Sequence, residues 1–319
     1  MTARLLEAVP NFSEGRDRSL VLAIVEAMRA AGADVLDWHM DVDHHRSVIT
    51  VVGVPEVVEE AAIAGARVAV ERIDMTRHRG VHPRIGAVDV LPFVPLVGLT
   101  LLDARAAARR VGVRIARELG VPIFYYGQAS DPPGRQLSDL RKGGFEQLVA
   151  RWPEDRLPDA VPVGWLHAGA HPRAGATCVG ARRVLLAWNV RCEGVDLAAA
   201  KRVAGALRER GGGPLGVRAL AFELPSRAAI QISMNVEDPD VASPMAVFAR
   251  LEQLLATEGG TVVETEVVGL VPDTLMCSAA ADRLRLEAGA GERLLSGRLV
   301  QHLAEHCNAR PTVPPLRGE

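Results

Sequence analysis

The densest cluster of chemically active side chains outside any predicted helix spans residues 76–89 and carries two histidines and three arginines. Within it, Pro83 has no backbone N–H and biases His82 toward an extended conformation, so this segment cannot be helical. His82 is therefore expected on a loop that faces solvent or a cleft. With an ordinary pKa of about 6.5, a loop imidazole beside arginines suits general-base catalysis at neutral pH. A hydrogen-bonded structural histidine is the alternative.

A second segment, 170–176, repeats the pattern His-Pro-Arg-x-Gly-Ala of residues 82–87. Its Gly175, with Gly164 and Gly169 before it, would let backbone amides approach a planar or anionic ligand closely. The segment is thus either a ligand-binding loop or a plain loop. Neither copy has the spacing of a phosphate-binding loop or of a dinucleotide fingerprint.

Three His-x₃-His pairs raise the question of a metal site, at 78/82, 167/171 and 302/306. The first two pairs span a glycine and are not helical, so they do not present two imidazoles on one helix face. The third pair falls near the end of the last predicted helix, where histidines suit the helix dipole. We therefore predict that no metal is bound.

Hydrophobic periodicity indicates the elements that must position these side chains, in the order βαββαβ. The first unit has strands near 3–9, 34–38, 47–52 and 87–94 and helices near 17–31 and 55–71; Pro92 suggests that its last strand is an edge strand. A helix at 101–119 and a strand at 121–126 extend the unit. Residues 127–160, rich in proline and glycine, are predicted as a connector with one short helix.

The same order returns from about residue 182. Strands are predicted at 183–190, 217–223, 228–236 and 261–268, with helices at 196–210 and from Pro244, and two more helices follow near 272–281 and 291–306. Such a unit folds as an antiparallel sheet with two helices on one face. We predict an α/β (α+β) protein of two ferredoxin-like subdomains, 1–180 and 181–319, whose sheets face each other across a ligand cleft.

Composition narrows the class of partner. Of 319 residues 48% are hydrophobic and 24% charged, and the net charge is −2, which disfavours a general nucleic-acid or membrane-surface binder. The four cysteines form no C-x-x-C pair and are predicted to be reduced thiols. No signal peptide or membrane span is apparent, so we expect a cytoplasmic protein.

Several segments resemble the glutamate formiminotransferase family, over about residues 5–305. They are Val9–Gly15, Asp74–Val90 with Pro92–Pro95, Ala174–Thr177 with Gly180–Arg182, Gln231–Asn235 and Val268–Pro272. The resemblance implies transfer of a formimino group from N-formimino-L-glutamate to N5 of tetrahydrofolate, the co-substrate, in histidine degradation. It also implies a homodimer of two α/β subdomains around a folate cleft. The cyclodeaminase fused to this domain in animals is expected to be another protein here.

By position, the resemblance makes His82 the catalytic histidine. It also assigns folate binding to one continuous stretch, which lacks the serine and tryptophan of the animal enzyme: Leu166, His167, Ala168, Gly169, Ala170, His171, Pro172, Arg173, Ala174 and Gly175. His82 would take the proton from N5 and later protonate the departing amine.

The substrate carboxylates call for guanidinium groups, and the candidates are Arg46 and Arg84, with Arg16 behind them. Glu14 or Asp43 would stabilise the cationic amidine. Asn11 would position a substrate amide or the pterin edge. Two rival functions stay open: a formyltransferase paralogue with the same cleft, and a folate-binding protein without catalysis.

Overall fold

The computed structural model describes residues 4–165, 169–238, 241–271 and 273, which form a mixed α/β protein with two β-sheets. This confirms the predicted α+β class. Apart from residue 273, the predicted helices at 272–281 and 291–306 lie outside the described residues, as do the His302/His306 pair and residues 166–168. No described helix has the length and apolar character needed to cross a membrane.

The first sheet has seven strands in the spatial order β3-β4-(β1, β2)-β5-β7-β6, in which β1 and β2 both pair with β4 and β5. Strands β5, β7 and β6 run parallel to one another, and the other pairings are antiparallel. The strands are β1 (Leu6–Ala8), β2 (Asn11–Phe12), β3 (Asp34–Asp41), β4 (Arg46–Gly53), β5 (Val88–Pro95), β6 (Ile123–Gly127) and β7 (Thr177–Ala181).

Three helices cover one face of this sheet: α1 (Arg18–Ala30), α2 (Pro55–Arg72) and α3 (Leu101–Leu119). Helix α1 begins where Asp17 accepts the N–H groups of residues 19 and 20, and the backbone turns left-handed at Gly32 (φ 96°) just past its end. Helix α3 starts at a reciprocal capping box between Thr100 and Asp103 and ends at Gly120. These local signals explain why the predicted bounds of both helices agree closely with the structure.

Strand β5 differs from its prediction. It lies inside the sheet, between the first strands and β7, and is not an edge strand. The carbonyl of Pro92 accepts the N–H of Val9, at the break between β1 and β2. Because the amide and carbonyl of one strand residue face the same side, the missing N–H of Pro92 also faces that break, where no ladder bond is lost.

The connector also differs. It holds two short helices, α4 (Leu137–Leu140) and α5 (Gly144–Ala150), where one was predicted. Strand β7, absent from the prediction, follows it. The strand predicted at 183–190 begins three residues later.

The second sheet has four antiparallel strands in the order β11-β8-β10-β9, with α6 (Leu197–Leu207) and α7 (Pro244–Thr257) on one face. The strands are β8 (Leu186–Glu193), β9 (Val217–Leu224), β10 (Ala229–Val236) and β11 (Thr261–Val267). Val190 and Ile232 face the helices and are fully buried, whereas Asn189 and Ser233 alternate onto the other face. That uncovered face looks toward the first sheet.

Contacts on two margins join the halves. On one margin, the carboxylate of Asp43 accepts hydrogen bonds from the backbone N–H and the hydroxyl of Ser226, and the amide of Gln231 donates to His44 Nε2 at 3.0 Å. On the other margin, Asp139 of α4 pairs with Arg210 at 2.9 Å. The space between the sheets is thus closed at both sides.

Candidate functional site

A cavity of about 520 Å³ lies between the uncovered faces of the two sheets, a size suited to a small organic ligand. His82 is in its wall, on the loop between α2 and β5, beside Asn11 and Arg46. Three predicted site residues, His82, Asn11 and Arg46, therefore meet at this cavity.

The hydrogen bonds of His82 define its protonation state. Its Nδ1 lies 2.7 Å from the carbonyl oxygen of Pro83, and its Nε2 lies 2.9 Å from Nη1 of Arg46. A carbonyl only accepts and a guanidinium only donates, so the proton is on Nδ1 and Nε2 carries the lone pair. His82 is a neutral imidazole with its accepting nitrogen in the cavity wall.

Electrostatics keep this imidazole neutral. Burial lowers the pKa of His82 well below its usual range, and the positive charges of Arg46 and Arg141 lower it further. Burial, with Arg141, also lowers the pKa of Arg46 to about 10, which leaves Arg46 charged at neutral pH. The site therefore holds a proton acceptor beside a fixed cation.

Arg46 lies at the start of β4 and contacts Asn11 as well as His82. Its Nη2 donates to Oδ1 of Asn11, while Nδ2 of Asn11 donates to the carbonyl of Val9 at 2.7 Å. Nε of Arg46 is buried and has no partner among the described residues. The side chain of Arg46 lines the cavity, where its positive charge can attract an anionic ligand.

Arg141, just after α4, is a cavity residue that the sequence reasoning missed. It pairs with the buried carboxylate of Asp89, whose other oxygen accepts the N–H of Ile85 at 2.8 Å. Burial alone would lower the pKa of Arg141, but Asp89 raises it overall. A carboxylate in the apolar strand β5 demands a cation, yet nothing in the sequence says which arginine supplies it.

His78, the other histidine of the cluster, is structural. Nε of Arg84 donates to its Nδ1 at 3.1 Å, so the proton is on Nε2, which lies 2.7 Å from the carbonyl of His45. Burial lowers the pKa of His78 to about 4. Because His82 lines the cavity and His78 does not, the geometry favours His82 as the base.

Several other predicted residues do not line the cavity. Arg84 pairs with Glu146 at 2.6 Å. Glu14 accepts the N–H groups of residues 16 and 17 and lies 3.2 Å from His45; these hydrogen bonds outweigh its burial and lower its pKa to about 2. The carboxylate of Asp43 accepts hydrogen bonds from Ser226, and Arg16 donates a hydrogen bond to the carbonyl of residue 42. Of the candidate arginines and carboxylates named from the sequence, only Arg46 lines the cavity.

The described part of the predicted folate stretch, residues 169–175, lies behind the His82 loop. The N–H of Ala87 donates to the carbonyl of Ala174 at 2.8 Å, and the N–H of Ala176 donates to that of Ile85 at 3.0 Å. None of residues 169–175 lines the cavity. Direct folate contact by this stretch stays a prediction, and its place in the structure is that of a support.

Two glycines make this support possible. A Cβ on Gly86 would lie 2.1 Å from the oxygen of Ala176, and one on Gly175 would lie 2.0 Å from the oxygen of Ile85. Gly175 also has φ of 73°, which disfavours other residues. His171 turns inward, and its Nδ1 accepts the N–H of Ala174 at 2.9 Å.

The cavity wall is strongly cationic. Three carboxylates line it, Glu7, Asp41 and Glu237, against seven cationic side chains: Arg46, Arg141, Lys142, Arg182, Arg208, Arg210 and Arg218. This excess of positive charge, in a chain of net charge −2, favours an anionic ligand. Within the described residues, no group of three or more histidines, cysteines or carboxylates is arranged to hold a metal ion.

Comparison with known families matches both halves of the chain. Residues 5–182 match the formiminotransferase domain, N-terminal subdomain, and residues 187–288 match the formiminotransferase domain. Glutamate formimidoyltransferases from Streptococcus pyogenes serotype M1 and Thermoplasma acidophilum are 36% and 39% identical, over 89% and 88% of this chain and 95% and 93% of their own lengths. The formimidoyltransferase-cyclodeaminase of Sus scrofa is 38% identical over 88% of this chain, which spans about half (52%) of that protein.

Proposed function

The chain belongs to the formiminotransferase family, and from that premise we propose that it transfers the formimino group of N-formimino-L-glutamate to N5 of tetrahydrofolate, giving 5-formiminotetrahydrofolate and L-glutamate. It is a one-carbon transferase. One observation carries the assignment of the site: the unprotonated Nε2 of His82 lies in the wall of a cationic cavity between the two halves that match the family.

The chemistry follows from the state of His82. As N5 attacks the amidine carbon, a C–N bond forms and Nε2 of His82 accepts the N5 proton. The tetrahedral intermediate then loses the bond from its carbon to the glutamate nitrogen, and His82 returns the proton to that nitrogen. One residue serves as base and then as acid, with no net change in its protonation, and such catalysis is worth roughly 10²- to 10⁴-fold in rate.

Arg46 holds the accepting nitrogen of His82 before substrate binds. A substrate carboxylate offers this guanidinium a stronger, charged partner, which frees Nε2 for proton transfer. Arg46 and Arg141 are thus the anion-binding residues at the reacting end of the cavity. Asn11 orients Arg46 and offers a polar edge to the ligand.

The other predicted residues act through these groups. Glu14 and Arg84 hold His45 and His78, which pack against each other beneath the loop with ring centroids 4.2 Å apart. Residues 169–175 support the folate site from behind the His82 loop. Asp41, which lines the cavity beside His44, takes the place of Glu14 and Asp43 as the carboxylate for the cationic amidine.

We also propose the architecture, the oligomeric state and the cellular setting of the protein. The strand orders within residues 1–180 and 181–319 support two ferredoxin-like subdomains. Membership of the family supports a homodimer in the cytoplasm that acts in histidine degradation. The net charge of −2 supports small-molecule substrates, with neither nucleic acid nor membrane as a partner.

A direct assay tests the proposal. Purified protein is incubated with N-formimino-L-glutamate and tetrahydrofolate, and 5-formiminotetrahydrofolate is measured by mass spectrometry, with N-formyl-L-glutamate as the competing donor. We expect turnover with N-formimino-L-glutamate as the donor and none with N-formyl-L-glutamate. Turnover with the formyl donor alone would indicate the formyltransferase paralogue, and tight folate binding without turnover would indicate a binding protein.

A further inference from the structure

Glu7 is a cavity carboxylate that the mechanism above does not use. It lies in β1 opposite Val52 of β4 and Val94 of β5. Its neighbours Leu6 and Ala8 are fully buried against the helices, so strand alternation turns Glu7 to the cavity face.

The three carboxylates of the cavity wall differ in their partners. Asp41 accepts the N–H of His44 at 2.7 Å, and Glu237 accepts Nε of Arg218 at 3.2 Å. No described residue donates a hydrogen bond to Glu7. Burial raises the pKa of Glu7, and the charge of Arg182 opposes that rise only in part. Glu7 is therefore a half-buried acceptor whose hydrogen-bonding capacity is left for a ligand.

The floor of the cavity between Glu7 and His82 is largely apolar. Val9 follows Glu7 on the same face of the strand, and Asn11, which is joined to His82 through Arg46, follows Val9. Glu7 and Asn11 pair with Val52 and Val48 of β4, four strand residues apart, which corresponds to about 13 Å. The neighbouring strands flank this strip with Val48, Thr50, Val90 and Pro92.

This layout matches a flat bicycle with polar groups at opposite ends. A pterin carries N5 on one ring, while the 2-amino group and N3–H form a pair of parallel donors on the far edge of the other. A carboxylate accepts such a pair with both oxygens, as it does from a guanidinium.

We propose that the carboxylate of Glu7 binds the 2-amino and N3–H edge of the pterin of tetrahydrofolate, with the ring over Val9 and Pro92 and N5 toward His82. The proposal rests on the proposed function and adds the orientation of one substrate. Glu7 also distinguishes the two ends of tetrahydrofolate. The carboxylates of its glutamate tail are attracted to the cationic side chains of the cavity wall and repelled by Glu7.

The experiment combines a variant of the protein with a variant of the ligand. Dissociation constants of tetrahydrofolate and of its 2-desamino analogue, in which hydrogen replaces the 2-amino group, are measured anaerobically by calorimetry for the wild type and for Glu7→Gln. The amide keeps the size of the side chain but loses the charge and one acceptor. Glu223→Gln, an exposed carboxylate of β9 outside the cavity, is the matched control.

We expect Glu7→Gln to weaken tetrahydrofolate binding by about 10- to 100-fold and to leave the desamino analogue within threefold. Glu223→Gln leaves both unchanged. Equal affinities of Glu7→Gln and the wild type for tetrahydrofolate would overturn the assignment, as would an equal loss for both ligands. If Glu7→Gln does not fold, as judged by its melting temperature, the wild type still tests the proposal, since it must prefer tetrahydrofolate to the analogue by about tenfold or more.

The transfer assay separates this proposal from the function on which it rests. A wild type that forms 5-formiminotetrahydrofolate while Glu7→Gln binds tetrahydrofolate normally overturns the role of Glu7 alone. A wild type that forms no product overturns the function, whatever the variant binds.

Discussion

The two copies of the pattern His-Pro-Arg-x-Gly-Ala, residues 82–87 and 171–176, lie side by side in the structure. Their backbones are hydrogen-bonded in antiparallel fashion, with Gly86 opposite Gly175. His82 lines the cavity with its Nε2 toward Arg46, whereas His171 accepts the N–H of Ala174 and is spent on its own loop. The shared glycines and alanines determine how closely the two backbones approach. The surroundings of each imidazole determine what it does.

The largest expected difference between the copies is catalytic. His82→Ala should lower kcat by 10²-fold or more, of the roughly 10²- to 10⁴-fold that a general base contributes, because no other described imidazole presents an accepting nitrogen beside Arg46. His171→Ala should stay within about threefold of the wild type. Steady-state kinetics with both variants, checked for equal folate affinity, measure the difference. If His171→Ala lowered kcat strongly and His82→Ala did not, the roles assigned to the two histidines would be reversed.

The shared glycines should matter for stability in both copies. We expect Gly86→Ala and Gly175→Ala each to lower the free energy of unfolding by about 1–3 kcal/mol, because the new Cβ meets a backbone oxygen that cannot move aside cheaply. Gly205→Ala is the control, since it lies in α6 with open space around it, and it should stabilise by about 0.5–1 kcal/mol. Denaturant unfolding measures all three. A tolerated Gly86→Ala would show that the two segments do not need their close approach.

The arginines around the first copy should differ from each other. Arg46→Lys should raise the KM for N-formimino-L-glutamate by about tenfold, because a point ammonium does not replace a fork that binds His82 in the free protein and a substrate carboxylate in the complex. Arg84→Lys should change this KM little, since Glu146 and His78 occupy its guanidinium. Michaelis constants for both substrates measure the contrast, and a larger effect at Arg84 would contradict it.

The smallest expected effect is on the pH profile. The pKa of His82 is lowered by burial and by Arg46, so the imidazole stays neutral and active below pH 6.5, and activity is lost only as the pH falls through that lowered value. Arg46→Met removes one positive neighbour and should move the acid limb of kcat/KM up toward pH 6.5. Arg173→Met, beside His171, should leave the limb in place. An acid limb of Arg46→Met that coincides with the wild type would remove Arg46 as a cause of the lowered pKa.

Local signals explain which elements could be predicted. Capping residues and glycine stops mark α1 and α3, and alternating apolar residues mark the strands of both sheets. By contrast, β7 (Thr177–Ala181) is short, and it is a strand because β5 and β6 lie on either side of it. Pro92 suggested an edge because its chain neighbours do not reveal the break opposite it. These are long-range facts, and periodicity along the chain carries no information about them.

The same distinction applies to the site. The position of His82 on a loop that faces a cleft was predictable, because Pro83 excludes a helix and the surrounding residues are chemically dense. Arg46 and Arg84 were equal candidates by residue type, and only the position of Glu146 in a distant helix separates them. Arg141 gave no local signal, because its importance comes from the buried carboxylate of Asp89 and from the cavity that the two halves build together.

The turn before β4 connects the cavity to the contact between the two halves of the molecule. Asp43 and His44 form hydrogen bonds with Ser226 and Gln231 of the second half. Arg46, two residues after His44, forms a hydrogen bond with His82. A hinge motion that separated the halves at this margin would move the guanidinium of Arg46 away from Nε2 of His82. We therefore expect a substitution at Ser226, far along the chain from His82, to lower catalytic activity by displacing this turn.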